Sequence, residues 1–423
     1  MESSIEKKEF NYGLALLRAL MCFEVVLCHF WISDIPKYLK PFSMLRGLAV
    51  PIFMFLSFFL TEHTFLNYNK IKAKKRIWRV IYPQIGWALI YWLGYTIGQI
   101  KINFGVTFCD LLWQMFTGHS PRLNASMWFQ TVLIVLTVIY IIIFKFFEVK
   151  KGLLITYVMM FAAFVIQYSG INFKLFDSLR FELKYPLGRF CEMIPYATIG
   201  FSCAYYNVFE KAKEKRLIFI ILFGVASIFL LRYSFISSAS GFGYSNNNYL
   251  FLGFFVIGFA YLIPFEKLPQ KLKNVLKFLT KYTLGIYCMH RIVAEFLKIL
   301  FPKIGINIDS FILCIITYII GFFVSYSFSL WNRFYCPTFA FNFRYSGHLV
   351  FPNHFCFRYN WLFQKDILNN LQGQFHSDWQ FLFKARKIFD ISPGDQLVIL
   401  GDEEQGIAII KPGDFYFCGC IVE

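Results

Sequence analysis

Three ionisable side chains, Arg18, Glu24 and His29, stand in the first long apolar stretch of the chain. An ionisable group inside a membrane costs free energy, so such a residue is a candidate for function. On a continuous helix Arg18 and His29 would share one face, whereas Glu24 would point elsewhere. A histidine titrates near neutral pH, so His29 could move a proton in a reaction. The alternative is an interfacial His29 with no chemical role.

His290 is the second candidate, because it lies about 12 Å deep in a later apolar stretch at ~1.5 Å per residue. The alternative is a structural histidine bonded to a carbonyl group of a neighbouring helix. Arg291 and Glu295 are four residues apart, and their spacing predicts an ion pair on one helix face. Arg189 and Glu192, three residues apart near the start of another apolar stretch, are a further candidate. The alternative is a structural ion pair or a snorkelling side chain.

A basic segment, KIKAKKRIWRVIYP at 70–83, precedes the third apolar stretch. Arg76 and Arg79 are three residues apart and would share a helix face, beside Lys75. Two guanidinium groups so placed could clamp a phosphate group. The alternative is a stop signal that anionic lipid attracts.

The elements that must position these residues are membrane spans. Hydrophobic residues make up 57% of the chain and charged residues only 16%, against about 45–50% and 25% in soluble domains. Several apolar stretches approach the ~20 residues that cross a bilayer. We therefore predict an all-α polytopic membrane protein with about ten transmembrane helices. The predicted spans are 12–32, 47–66, 81–100, 126–146, 152–169, 188–208, 217–236, 248–265, 282–300 and 311–331.

The basic residues predict the orientation. With a cytoplasmic N-terminus, the inner loops carry about twice as many Lys and Arg residues as the outer loops, as the positive-inside rule requires. We therefore expect a multi-pass protein of the plasma membrane with both termini in the cytoplasm. This bias also accounts for the net charge of +17 without a nucleic-acid partner.

The chain changes character near residue 332, where long apolar stretches stop. We predict a membrane domain over 1–331, a linker over 332–374 and a small cytoplasmic α+β module over 375–423. The module is expected to contain a short helix, a strand over 396–400, a Gly401-Asp402 turn and a strand over 406–411. The eleven cysteines are scattered and show no zinc-ligand spacing, so we expect neither a disulfide framework nor a metal site.

Five short segments carry a resemblance to a known family. They are RALMCFEVVLCH at 18–29, PIFMFLSFFL at 51–60, KRIWRVIYP at 75–83, SMWFQ at 126–130 and TLGIYCMH at 283–290. In this order they resemble the motifs of the acyltransferase-3 family of integral membrane O-acyltransferases, over about residues 10–331. One position differs, because Phe58 replaces the glycine that usually follows the serine of the second motif. A bulky residue there questions close helix packing at this point.

The resemblance implies a function and its residues. The family moves acyl groups, often acetyl, onto hydroxyls of cell-surface glycans and related acceptors. By resemblance, His29 and His290 would be catalytic, with His290 as an oxyanion donor or a second proton carrier. The donor, acyl-CoA, would be held by Arg18, Lys75, Arg76 and Arg79. No metal or bound cofactor is implied, and the expected partners are acyl-CoA, a glycan or lipid-linked acceptor and membrane lipid.

The C-terminal segment carries a second resemblance. Residues 384–411 resemble the swapped-hairpin domains of the AbrB/SpoVT type, which dimerise and bind DNA. Upstream, 375–383 reads FHSDWQFLF and lacks the glycine and proline of the family's DNA-reading strand. We therefore expect an interaction module, a homodimer contact or a degenerate remnant rather than DNA binding.

Two other functions use the same features. A transporter or exporter of a small anion or glycan would use the basic segment and the buried histidines as a pathway. It predicts a cavity open to both membrane faces, whereas an acyltransferase predicts a pocket beside His29. A membrane-anchored regulator would act through a basic C-terminal module, but 384–411 holds four basic and five acidic residues.

Overall fold

The computed structural model describes most of the predicted membrane domain and one hairpin near the C-terminus. The described residues are 10–29, 47–66, 70–96, 106–120, 122–168, 178–237, 248–306, 310–335, 398–402 and 406–410. The chain divides into two units, 1–351 and 352–423, and each is taken by itself below.

The described part of the first unit consists of α-helices joined by turns and short 3-10 segments. The helices are α1 Tyr12–Leu27, α2 Ala49–Phe59, α3 Glu62–Leu66, α4 Lys70–Thr96, α5 Phe108–Thr117, α6 Trp128–Phe146, α7 Val149–Tyr168, α8 Phe181–Tyr205, α9 Val208–Ala212, α10 Arg216–Ser237, α11 Asn248–Leu262, α12 Gln270–Lys281, α13 Thr283–Lys303 and α14 Ser310–Tyr335. Every predicted span overlaps at least one of these helices.

Three helical segments of the described chain are long and apolar enough to cross a membrane: Trp128–Phe146, Val149–Gln167 and Val208–Tyr233. Shorter apolar helices occupy Ala49–Phe59, Tyr249–Leu262 and Phe311–Ser327. The total of ten spans stays a prediction.

The first predicted span, 12–32, is longer than the helix observed there. Asn11 caps the start of α1, because its side-chain oxygen accepts the Leu14 N–H at 2.9 Å. The helix ends at Leu27, and Cys28 and His29 form a turn after it. His29 therefore does not continue the helical face of Arg18. Residues 30–32 of the predicted span lie outside the described residues.

Two further spans also differ from their predictions. The span over 47–66 is divided between α2 and α3, with Leu60 and Thr61 forming the turn between them. The third predicted span, 81–100, begins earlier as a helix and includes the basic segment, since α4 runs without interruption from Lys70 through Pro83 to Thr96. Because proline has no N–H, the carbonyl of Arg79 lacks its usual helical donor there.

Hydropathy did not reveal α5 and α12, which lie between the predicted spans. A reciprocal capping box of Thr107 and Asp110 starts α5, and Gly118 ends it in the left-handed conformation. In α12, lysines alternate with apolar residues, so its average polarity hides its amphipathic character.

Glycine residues, which carry no side chain, let two pairs of helices approach closely. A Cβ atom on Gly200 of α8 would overlap the backbone of Phe55 in α2, and one on Gly13 of α1 would overlap the carbonyl of Ala260 in α11. Phe58 does not spoil this packing, because its ring is fully buried and stacks on Phe65 with centroids 5.4 Å apart. The bulk at position 58 thus fills the core between α2 and α3.

The second unit contains an antiparallel hairpin. Strand β1 (Val398–Asp402) pairs with β2 (Gly406–Ile410), with Leu400 opposite Ala408. Gly401 and Asp402 belong to β1, so the prediction of a turn at these residues was wrong. The expected short helix and the segment 375–383 lie outside the described residues, and the α+β module with its dimer contact stays a prediction.

Candidate active site

The site begins where α1 and α13 pack side by side in the same direction. Near the start of α13, Arg18 Nη2 donates to Thr283 Oγ1 at 3.4 Å, and Cys22 Sγ donates to the Thr283 carbonyl at 3.5 Å. Just beyond the end of α1 and further along α13, the rings of His29 and His290 meet with their centroids 4.7 Å apart and their planes inclined by 36°. The structure therefore brings together the two histidines that the sequence singled out.

The ring of His290 is almost completely buried, at 1% exposure. Its Nδ1 lies 2.7 Å from the carbonyl oxygen of Tyr287. A carbonyl can only accept, so Nδ1 carries the hydrogen and Nε2 of the neutral ring keeps its lone pair. Within the described part of the chain, Nε2 has no hydrogen-bond partner. His290 is thus prepared to accept a proton or a hydrogen bond at Nε2, and not to donate one.

A cavity of about 110 Å³ opens beside His29. It lies where α1 ends and where α2, α6 and α8 begin, with α13 as a further wall. The lining residues are Glu24, Val25, Cys28, His29, Gly47, Val50, Ser126, Trp128, Tyr185, Tyr287 and Arg291. A carboxylate, an imidazole and a guanidinium group therefore share one small cavity with three aromatic rings.

The position of Glu24 differs from the predicted one. The prediction that it points away from His29 assumed a helix through both residues, but α1 ends between them. Glu24 is 8% exposed and lines the cavity together with His29.

An ion pair supports the aromatic wall of the cavity. Arg189 Nη1 lies 2.5 Å from Glu192 Oε2, and the Glu192 side chain is 1% exposed, so the structure contains the ion pair that was one of the alternatives for these residues. The guanidinium carbon of Arg189 lies 4.9 Å from the centroid of the Tyr185 ring and 5.9 Å from that of Trp128. His119 stacks on Tyr185 at 4.5 Å. These contacts hold two of the aromatic rings that line the cavity with His29.

A second predicted ion pair stands on α13. Arg291 Nη2 lies 3.9 Å from Glu295 Oε1, and the hydroxyl of Tyr95 donates to the same carboxylate. The pair holds Arg291, which lines the cavity next to His29.

Comparison with protein families decides what kind of protein carries this site. A family described as an acyltransferase domain matches residues 11–331, about three quarters of the chain. The chain belongs to the acyltransferase-3 family. Searches of curated proteins and of solved structures found no match. The protein is therefore a membrane acyltransferase, as the five motifs indicated.

The predicted donor-binding residues of the acyltransferase lie apart from the cavity. Arg76 Nη2 donates to the carbonyl oxygen and to Oγ of Ser57, at 3.3 and 3.2 Å. Its guanidinium group also lies over the ring of Phe65, 5.1 Å from the centroid. Since α2 begins at the cavity and Ser57 is near its other end, Arg76 lies toward the opposite end of the bundle.

Lys75 and Arg79 flank Arg76 on α4. Burial lowers the pKa of the Lys75 ammonium group, and the nearby charge of Arg79 lowers it further. A positive cluster of this kind would gain from an anionic ligand. The described residues that line the cavity do not include the four predicted donor-binding residues, Arg18, Lys75, Arg76 and Arg79.

Several cavity residues of the acyltransferase escaped the sequence analysis as site residues. Ser126, Trp128 and Tyr287 stood inside two of the motifs, so a signal for them existed. Tyr185 carried no signal, because nothing distinguishes it from the other 24 tyrosines.

Proposed function

We propose that this membrane acyltransferase moves an acyl group, acetyl by default, from cytoplasmic acyl-CoA to a hydroxyl of a cell-surface glycan or lipid-linked acceptor at the plasma membrane. The observation that carries the proposal is the contact between His29 and His290 at a cavity. An imidazole that lines a cavity and contacts a second imidazole would supply the base that hydroxyl acylation needs.

The chemistry balances with these groups alone. The acceptor oxygen attacks the thioester carbon while an imidazole nitrogen takes its proton. The carbon–sulfur bond then breaks, a carbon–oxygen bond has formed, and the coenzyme A thiolate takes up the proton. The lone pair on His290 Nε2 supports the proton-carrier role over the oxyanion-donor role. Arg291, which faces the cavity, would stabilise the tetrahedral oxyanion instead.

The two groups of residues suit two substrates. The basic start of α4 faces the cytoplasm in the orientation that the positive-inside rule predicts, where Lys75, Arg76 and Arg79 would hold the donor's phosphates. The cavity then lies toward the outer face, where an acceptor is available. The thioester end of the donor would reach the histidines along α1, past Arg18.

The test is transfer of label from radiolabelled acetyl-CoA to total cell-surface glycan. Membranes would carry the wild-type protein, His29→Ala, or the control His63→Ala, which removes an exposed histidine on α3. We expect labelling with the wild type and the control, and a loss of about 10²-fold or more with His29→Ala at equal protein level. Absence of labelling with any acyl donor in well-expressed membranes would refute the acyltransferase proposal and favour transport.

A further inference from the structure

The hydroxyl of Tyr91 occupies an unusual place in α13. It donates to the carbonyl oxygen of Cys288 at 3.0 Å and accepts the N–H of Ile292 at 3.2 Å. These are the two groups that an α-helix joins directly, since each N–H bonds the carbonyl four residues earlier. A side chain from α4 therefore bridges one rung of the hydrogen-bond ladder of α13.

The bridged turn is the one that carries His290. Residue 290 lies midway between Cys288 and Ile292, and its own Nδ1 donates to the carbonyl of Tyr287. Two consecutive carbonyls are thus bonded by side chains at this turn. A hydroxyl that bonds two groups of the ladder restrains the backbone of this turn, and the direction of the His290 ring follows the backbone that bears it.

The burial of Tyr91 makes its hydroxyl group costly in free energy unless the hydroxyl is hydrogen-bonded. Tyr91 is completely buried, and a phenylalanine would fill the same space without a hydroxyl that must be satisfied. The hydroxyl has both of its partners in the backbone of α13, so its interaction acts on the path of that helix.

We infer that Tyr91 is a positioning residue, whose hydroxyl holds the turn of α13 so that the ring of His290 stays against the ring of His29. The inference rests on the proposed function for its kinetic consequence. Its structural consequence, the orientation and environment of the His290 ring, can be measured without activity.

The experiment compares purified full-length wild type with Tyr91→Phe and Tyr140→Phe in lipid nanodiscs. Tyr140 is a matched control, since it is equally buried and its hydroxyl bonds Thr198 Oγ1 at 2.9 Å, away from the cavity. Each variant loses one buried hydroxyl and keeps the ring, so both are expected to fold. The first readout is the nitrogen resonances of ¹⁵N-labelled histidine, with His290 assigned from the His290→Ala variant.

We expect the His290 resonances to shift in Tyr91→Phe and to stay in place in Tyr140→Phe. The second readout is acyl transfer, where we expect kcat of Tyr91→Phe to fall about 10- to 100-fold with KM for acyl-CoA unchanged, as for a misplaced catalytic group. Unshifted His290 resonances in Tyr91→Phe would overturn the inference. A shift without any wild-type acyl transfer would support the positioning role and refute the proposed function instead.

Discussion

His29 and His290 face each other across the contact between α1 and α13, with ring centroids 4.7 Å apart. One follows the end of its helix, and the other lies in the interior of its own. Their proximity therefore depends on how these two helices pack, and it brings the two imidazoles together as one structural unit.

The first prediction concerns this unit. His29→Ala and His290→Ala should each lower kcat/KM for acyl transfer by about 10²–10⁴, the usual contribution of acid–base catalysis. The double variant should be no worse than the more damaging single variant, because groups that serve one proton transfer are not additive. Initial rates at matched protein level give the answer, and losses that multiply would show that the histidines act independently.

Local spacing was a sound guide to local contacts. The pairs Arg189–Glu192 and Arg291–Glu295 follow from helical periodicity within one element, and both exist. The error over Glu24 arose because VLCHFW stays apolar past residue 27, so nothing in hydropathy marked the helix end. The contact of Tyr91 with Cys288 joins residues that are far apart in the sequence, and no spacing rule could have found it.

The helices that were missed show a second limit. An apolar stretch of membrane length predicts a span, but α12 gains its stability from one apolar face. The prediction of a turn at Gly401-Asp402 was wrong for another reason. Glycine and aspartate favour turns but do not require them, and the pairing of β1 with β2 extends through both residues.

The buried ion pair beside the cavity gives the second prediction. Arg189→Met should destabilise the protein by about 3–5 kcal/mol, since it removes the guanidinium charge that balances the buried carboxylate of Glu192. The double variant Arg189→Met with Glu192→Leu should recover much of this loss, because it removes the buried carboxylate as well. Thermal unfolding in detergent, followed by size-exclusion fluorescence, measures both. A double variant as unstable as the single one would contradict this account.

The third prediction tests close packing of α2 on α8. Gly200→Ala should cost about 1–3 kcal/mol, because the added methyl group overlaps the backbone of Phe55 and forces the helices apart. Gly253→Ala is the control, since a Cβ there lies 3.8 Å from Ile52, an ordinary contact. Its unfolding temperature should stay at or slightly above that of the wild type. Equal unfolding temperatures for the two variants would argue against the close approach.

The fourth prediction concerns Asp110 at the start of α5. Burial alone would raise its pKa, but hydrogen bonds from Thr107 and Ser120 and the charge of Arg122 outweigh burial and lower it. Its contribution to stability is therefore complete above about pH 4, the usual value for aspartate, and is lost as pH falls through the lower folded-state value. Unfolding temperature against pH should drop more steeply in this range for the wild type than for Asp110→Asn. Parallel curves would exclude the carboxylate as the cause.

The close helix contacts at Gly13 and Gly200 bear on what holds the helices of this protein together. Lipid tails are as apolar as leucine, so apolar helix surfaces gain little free energy when they exchange lipid contacts for contacts with one another. Dispersion forces decline steeply with distance, and they favour the few places where backbones touch. The closest helix contacts in the bundle around the histidines therefore depend on its smallest residues, and a single added methyl group at either glycine would separate two helices.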